Sequence, residues 1–507
     1  MLSKIVYFMS NPDKTGISTL LFLQVIFRST RQSMDVLLTF TRKTVPAGIF
    51  ITSLLFGVCL TGHAASVNPE TFETLDKRFQ HFSRDFYKQV ISQSTLPLDK
   101  YKTIAELKNK VDVYISSNKP IYAIALIHHN RNTLRDDIDA LEVIPLTSLL
   151  LEYNDWHEAN RIFDIAKVEA GKSAVSKLSF EFAKYFMKRK KWQKAHEYLD
   201  DIINELSLEN ANYARIMIGT ILQHQKNHRE AVKYYKKVEP SSKYYSTAVL
   251  NIAVAYIRQD WWTDALILIN ETIEKHSSQV SKVMADRLNL VLGYALLRKA
   301  YFRNSRDAFR NISLNSPYTN KALLGIALTA ANQDDFIGSL NAISILKDKK
   351  TTDLSVDESY LLLAYTYGKL KQYLTASSAY SGAIKYYQER IASLQEITHS
   401  GNNLLSMVKI YHKDQVIHIK SNDLDYSRQY PGSFFENYAN LIGFSEVTGN
   451  IVKTNKQYRS LVTDYKNTLK NITLQLVSQR TEYLQSYLNQ SRYGLARLYD
   501  SSLISAN

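Results

Sequence analysis

A small residue returns through the middle of this chain at a nearly fixed interval. It falls at Ala123, Ala159, Ala195, Ala231, Ala265, Ser305, Ser339 and Ala376, at spacings of 36, 36, 36, 34, 40, 34 and 37 residues. Four residues after each comes an aromatic or aliphatic side chain, and in most copies another apolar residue follows three later. Residues three and four apart share one face of a helix, so every copy sets a small residue beside a large one on a single stripe. One such stripe cannot be buried by its own unit. It needs a neighbour of the same kind on each side, and a period of this length therefore points to a stacked, elongated array rather than one compact core. The length of 507 residues agrees, being too long for a single ordinary core. Only 16 glycines and 9 prolines are available as turn-makers, which favours helices joined by short loops.

Single units show the order of parts. Ile252 to Tyr256 forms an apolar helical stripe, Asp260 to Thr263 a short turn, and Ala265 with Ile269 the start of a second helix. The same order recurs in Ile218-Gly219, Leu222, Ala231, Tyr235 and Val238. It recurs in Leu292-Gly293, Leu296, Ser305, Phe309, Ile312 and Pro317, and again in Leu363-Ala364, Tyr367, Tyr373, Ala376, Tyr380 and Ala383. These units resemble tetratricopeptide repeats over roughly residues 103–390. The resemblance implies an all-α, right-handed superhelical solenoid of about eight helix pairs, with the first helices of successive units lining a concave binding face. The small residues are expected to be packing anchors, where a large side chain would overfill the hairpin at a cost of about 1 to 3 kcal/mol.

Outside the array, residues 66–102 read as an N-terminal helical cap and residues 391–450 as a helical linker region with turn residues such as Pro431-Gly432. From 451 to 507 a seven-residue period takes over. Ile451, Tyr458, Tyr465 and Ile472 form one series; Val462, Leu469 and Leu476 stand four after the last three, and Tyr483 continues that second series. This predicts a long C-terminal helix that either packs along the solenoid or self-associates as a coiled coil through residues 451–490.

The first 65 residues read as an export leader. Arg42 and Lys43 precede an apolar run from Val45 to Leu60, and small residues end at Ala64 and Ala65, where cleavage is expected. Met34 stands a normal distance before the basic pair and is a plausible native start, giving a signal peptide over 34–65. The run of about 16 residues falls short of the roughly 20 that span a bilayer; an uncleaved membrane anchor is the alternative. Cys59, the single cysteine, has Val58 before it, which argues against a lipoprotein signal. Cleavage would leave a cysteine-free chain in a periplasmic or similar exported location. Residues 1–64 hold six basic and two acidic residues, which leaves about +11 of the +15 net charge on the remainder.

The groove-facing positions of the first helices are expected at Lys177, Lys184, Lys188, Tyr213, Gln223, Arg258, Arg287, Tyr294, Arg298, Lys321, Asn332, Tyr365 and Lys369, with His224 beside them. Tyrosine and arginine anchor interfaces, and lysine and arginine attract carboxylates. Catalytic patterns are missing. Gly171-Lys172-Ser173 lacks the first glycine of a phosphate loop, and His128-His129 has no metal-ligand partner at suitable spacing. No cofactor, metal or nucleic acid is expected. The reading is a non-catalytic scaffold in the cell envelope that binds other proteins, including acidic segments, in a basic, tyrosine-containing groove. The alternative is a structural envelope protein that self-associates through its C-terminal helix.

Overall fold

A computed structural model describes residues 67–93, 99–199, 201–275, 281–349, 353–412, 415–427, 429–448, 452 and 455–504. The leader expected over 1–65 and the heptad residue Ile451 lie outside these. The chain begins with α1 (Pro69–Gln93), and eight helix hairpins follow. The first two are α2 (Ile104–Ser116) with α3 (Pro120–His129) and, after the short α4 (Arg131–Asp136), α5 (Val143–Glu152) with α6 (Trp156–Glu169). The third and fourth are α7 (Lys172–Lys188) with α8 (Trp192–Glu197) and α9 (Leu208–His224) with α10 (His228–Lys236). Next come α11 (Tyr245–Arg258) with α12 (Trp262–Lys275), and α13 (Lys282–Arg298) with α14 (Phe302–Arg310). The last two are α15 (Thr319–Asn332) with α16 (Phe336–Lys347), and α17 (Leu354–Lys369) with α18 (Tyr373–His399). The array is an all-helical solenoid.

One turn geometry serves all eight hairpins. Five residues before each anchor the backbone enters the left-handed region, at Asn118, Asn154, Lys190, Lys226, Asp260, Ala300, Asp334 and Lys371, with φ between 55° and 65°. The next residue then donates its N–H to a carbonyl five residues back, from Lys119 to Tyr114 at 2.8 Å through to Gln372 to Tyr367 at 3.0 Å. This is the Schellman closure of a helix C-terminus. Glycine normally takes such a position because it has no Cβ to clash, yet none of these eight is glycine.

Packing follows from the small-then-large stripe. All eight anchors are fully buried, and so are the large residues that follow them, such as Ile127, Phe163, Tyr235 and Phe309. In three places the facing helix gives way to the ring by being glycine. A Cβ at Gly219 would stand 2.4 Å from the Tyr235 ring, and Cβ atoms at Gly293 and Gly325 would meet Phe309 at 2.6 and 2.4 Å. A serine anchor makes its own accommodation: Ser305 donates its hydroxyl to the Gly293 carbonyl at 2.8 Å, so its buried oxygen is satisfied.

Two boundaries differ from the sequence expectation. Helix α18 runs past 390 to His399. The segment expected to be a helical linker contains a three-stranded antiparallel sheet, β1 (Val408–Tyr411), β2 (Val416–Ile419) and β3 (Asn422–Asp425), in the order β1-β2-β3. Val408 pairs with Ile419 and Val416 with Asp425. The strands are four residues each, too short for a two-residue alternation to stand out, but Val and Ile favour the pleated surface and Ile417 and Ile419 are fully buried beneath it. After the sheet come α19 (Gly432–Thr448) and the 49-residue α20 (Lys456–Ile504).

Helix α20 joins the two ends of the array. Near its start Tyr458 packs on Phe82 of α1 at 5.7 Å between ring centres, and Asp464 pairs with Arg78 at 2.7 Å. Further along, Arg480 pairs with Asp357 on α17, and Tyr487 meets Tyr387 on α18. Near its end a Cβ at Gly494 would lie 2.4 Å from the Tyr380 ring, the same relation that Gly325 has to Phe309. The end of α20 therefore acts as the first helix of a missing ninth unit and caps the eighth. The heptad residues Tyr458, Tyr465, Leu469, Ile472 and Leu476 are buried within the chain, whereas Tyr483 is exposed.

Candidate binding groove

The first helix of every unit offers one position seven residues before its anchor, and from the third unit these are Lys188, His224, Arg258, Arg298, Asn332 and Lys369. They form a row along one face of the array. The chain itself covers part of this row. Helix α19 lies against the third unit, where its Glu436 pairs with Lys188 at 2.7 Å, and Lys190 donates to the Ser427 carbonyl at 3.0 Å.

Beneath α19 a polar cluster binds the first units to the chain's two ends. Asn154, in its left-handed turn, accepts from the Tyr185 hydroxyl at 2.5 Å and donates to Asp76 at 3.1 Å and Asn437 at 2.9 Å. Asn437 also donates to Asp76 at 2.9 Å and to the Tyr465 hydroxyl at 3.2 Å. Arg189 stacks its guanidinium 3.5 Å above the Tyr185 ring.

The remaining expected groove residues divide by environment. Lys184 pairs with Glu181 at 2.6 Å and lies over Phe180; Lys177 is half-buried two turns earlier on the same helix. Tyr213 stacks on Tyr244 with ring centres 4.7 Å apart, and burial raises its phenol pKa. Arg287 and Arg298 are half-buried, and Arg298 acts on the carboxylate of Asp260. Asn332 bonds the Leu328 carbonyl of its own helix at 2.8 Å. Lys369 lies 5.5 Å from the Tyr365 ring centre, and burial pushes the Tyr365 hydroxyl up to about 12.

Two of the expected residues are committed to the fold rather than presented to a partner. Gln223 is buried and donates to the Asn251 carbonyl at 2.8 Å, tying α9 to α11. Tyr294 is buried and donates to the Lys321 carbonyl at 2.5 Å, tying α13 to α15. The physical reason is the close stacking of first helices, which leaves no room for these side chains to swing outward.

Two buried charge clusters were not visible in the sequence. Across the junction of the first two units His128 pairs with Asp155 and Arg131 with Glu158, which also holds Arg161 of its own helix. In the eighth unit Asp357 and Glu358 are both fully buried under α20. Burial pushes Glu358 up to about 8, and its Oε2 accepts from the Tyr487 hydroxyl at 3.3 Å. Each cluster joins residues from different units or from opposite ends of the chain, so no local motif marks it. Among the described residues, no cluster of histidine, cysteine or acidic side chains is arranged to hold a metal. No helix among them is long and apolar enough to cross a membrane.

The fold and the row together define a helical-repeat solenoid of tetratricopeptide type, closed at its C-terminal end by a long helix. No family model matches the sequence, and no curated protein matches it. Among solved structures, the apo form of the quorum sensor NprR from B. thuringiensis is similar over 64% of this chain and 97% of its own, at 13% identity and a TM-score of 0.33. The apo form of RapI is similar over 72% of this chain and 98% of its own, at 11% identity and a TM-score of 0.41. The class stands on the eight hairpins and their shared turn rather than on these likenesses.

Proposed function

We propose that this chain is a non-catalytic, exported scaffold of the cell envelope whose groove binds acidic segments of other proteins. The observation that carries the reading is the Lys188–Glu436 pair. A helix of the chain's own already lies against the row of first-helix positions and is met there by a carboxylate. The row continues through His224, Arg258 and Arg298 beyond Glu436, and a partner segment laid along it would meet the same kind of side chain. Self-association through residues 451–490 is less favoured. Its apolar face is already used inside the chain, so a dimer through that face would require α20 to leave both ends of the array.

The test is cross-linking in intact cells through a C-terminal affinity tag, with mass spectrometry of the captured proteins and of the chain's own N-terminus. Envelope proteins together with a new terminus near Ala65 are expected. Recovery of the chain alone would move the reading to self-assembly, and an intact N-terminus would favour a membrane anchor. A variant with Arg258, Arg287 and Arg298 all replaced by methionine should remain folded by circular dichroism and lose the captured partner.

A further inference from the structure

The fourth and fifth units bring a guanidinium and two imidazoles together at one place on the row. His224 and Arg258 occupy equivalent row positions on α9 and α11, and His228 opens α10 between them. The His224 ring stacks on Trp192 with centres 3.9 Å apart, which fixes its plane. Nδ1 of His228 and Nε of Arg258 are both buried without a hydrogen-bond partner. Burial, then Arg258, lowers the pKa of both imidazoles, and burial lowers that of the guanidinium, with only Tyr235 acting the other way. Among the described residues, no carboxylate acts on His228 or Arg258. A guanidinium withdrawn from water with no acid beside it is costly, and such arrangements concentrate where a ligand supplies the missing charge.

We propose that His228 and Arg258, with the His224–Trp192 stack as one wall, form a site for the carboxylate of an aspartate or glutamate side chain on a partner segment. The assignment rests on the groove reading above and deepens it. The third unit supplies the pattern, since there the chain's own Glu436 fills the equivalent place at Lys188. The guanidinium fork of Arg258 suits a carboxylate's two oxygens, and the neighbouring ring nitrogen supplies a further donor.

The experiment is calorimetric titration of the full chain with a hexaglutamate peptide, using hexaglutamine as the neutral control. Arg258→Met should weaken hexaglutamate binding at least tenfold, and Arg258→Lys, which keeps the charge and loses the fork, should weaken it less. His228→Gln should cost a few-fold, and Arg298→Met less than twofold. Equal losses from Arg258→Met and Arg298→Met would overturn the local site while leaving the groove reading intact. Failure of the unaltered chain to bind hexaglutamate at millimolar concentration would overturn this inference, with the groove reading still judged by capture in cells. Displacement of the peptide by inorganic phosphate at lower concentration than by acetate, in an Arg258-dependent way, would overturn the carboxylate assignment.

Discussion

Among the eight hairpin turns, Ala300 is one of four that hold the left-handed conformation without an asparagine or aspartate side chain, at φ 64°. The asparagine or aspartate at Asn118, Asn154, Asp260 and Asp334 can bond locally to the backbone, which alanine, like the lysines at the remaining turns, cannot do. Ala300→Gly should therefore raise stability by about 1 kcal/mol in chemical denaturation, the relief of left-handed strain outweighing the added freedom of the unfolded chain. Arg258 gives the opposite lesson. If its charge serves binding, Arg258→Met should leave the melting temperature unchanged or raise it, because an unpaired buried cation is removed. A fall of several degrees would mean that the guanidinium holds the fold. Glu358 carries a pH signature. Its folded pKa of about 8 lies above the ordinary 4.5, so between those values the folded chain binds more protons than the unfolded one. Stability contributed at this site is greatest below pH 4.5 and is lost as pH rises through 8. Glu358→Gln should flatten that part of the profile, by a few kcal/mol between its two ends.

Glycine and ring work as matched pairs between helices, and the pairs are testable at that scale. Gly219→Ala places a methyl group into Tyr235 and should cost about 1 to 3 kcal/mol; pairing it with Tyr235→Leu should recover part of the loss, since the clash and the ring disappear together. At this scale the sequence was most legible. The spacing from Ala123 to Ala376 located all eight hairpins, because a stacked array repeats its local contacts and writes them at a constant period. The sheet at Val408–Asp425 escaped because three strands of four residues leave no period to detect. The groove was legible as a row of positions but not as a set of free side chains. Tyr294 and Gln223 lie on the expected helices, yet their polar atoms bond the next first helix, and only the stacking distance between units decides that.

Open solenoids fray from their ends, since each terminal unit lacks one neighbour. Here α20 gives the eighth unit a substitute neighbour and also holds α1, so the ends should be protected against hydrogen exchange about as well as the middle units. Deleting residues 456–504 should expose both ends together, with faster exchange in α1 and in α17–α18 while α9–α15 change little. Loss of protection confined to α18 would show that the N-terminal junction stands without α20. The same joining sets an order in time. One side of α1 packs on the first units, where Tyr87 stacks on His128, but its other side is covered by α19 and α20 and stays open until the last seventy or so residues are made. The array can build unit by unit from α1 onward, but the seam that joins its two ends closes only when the chain is nearly finished.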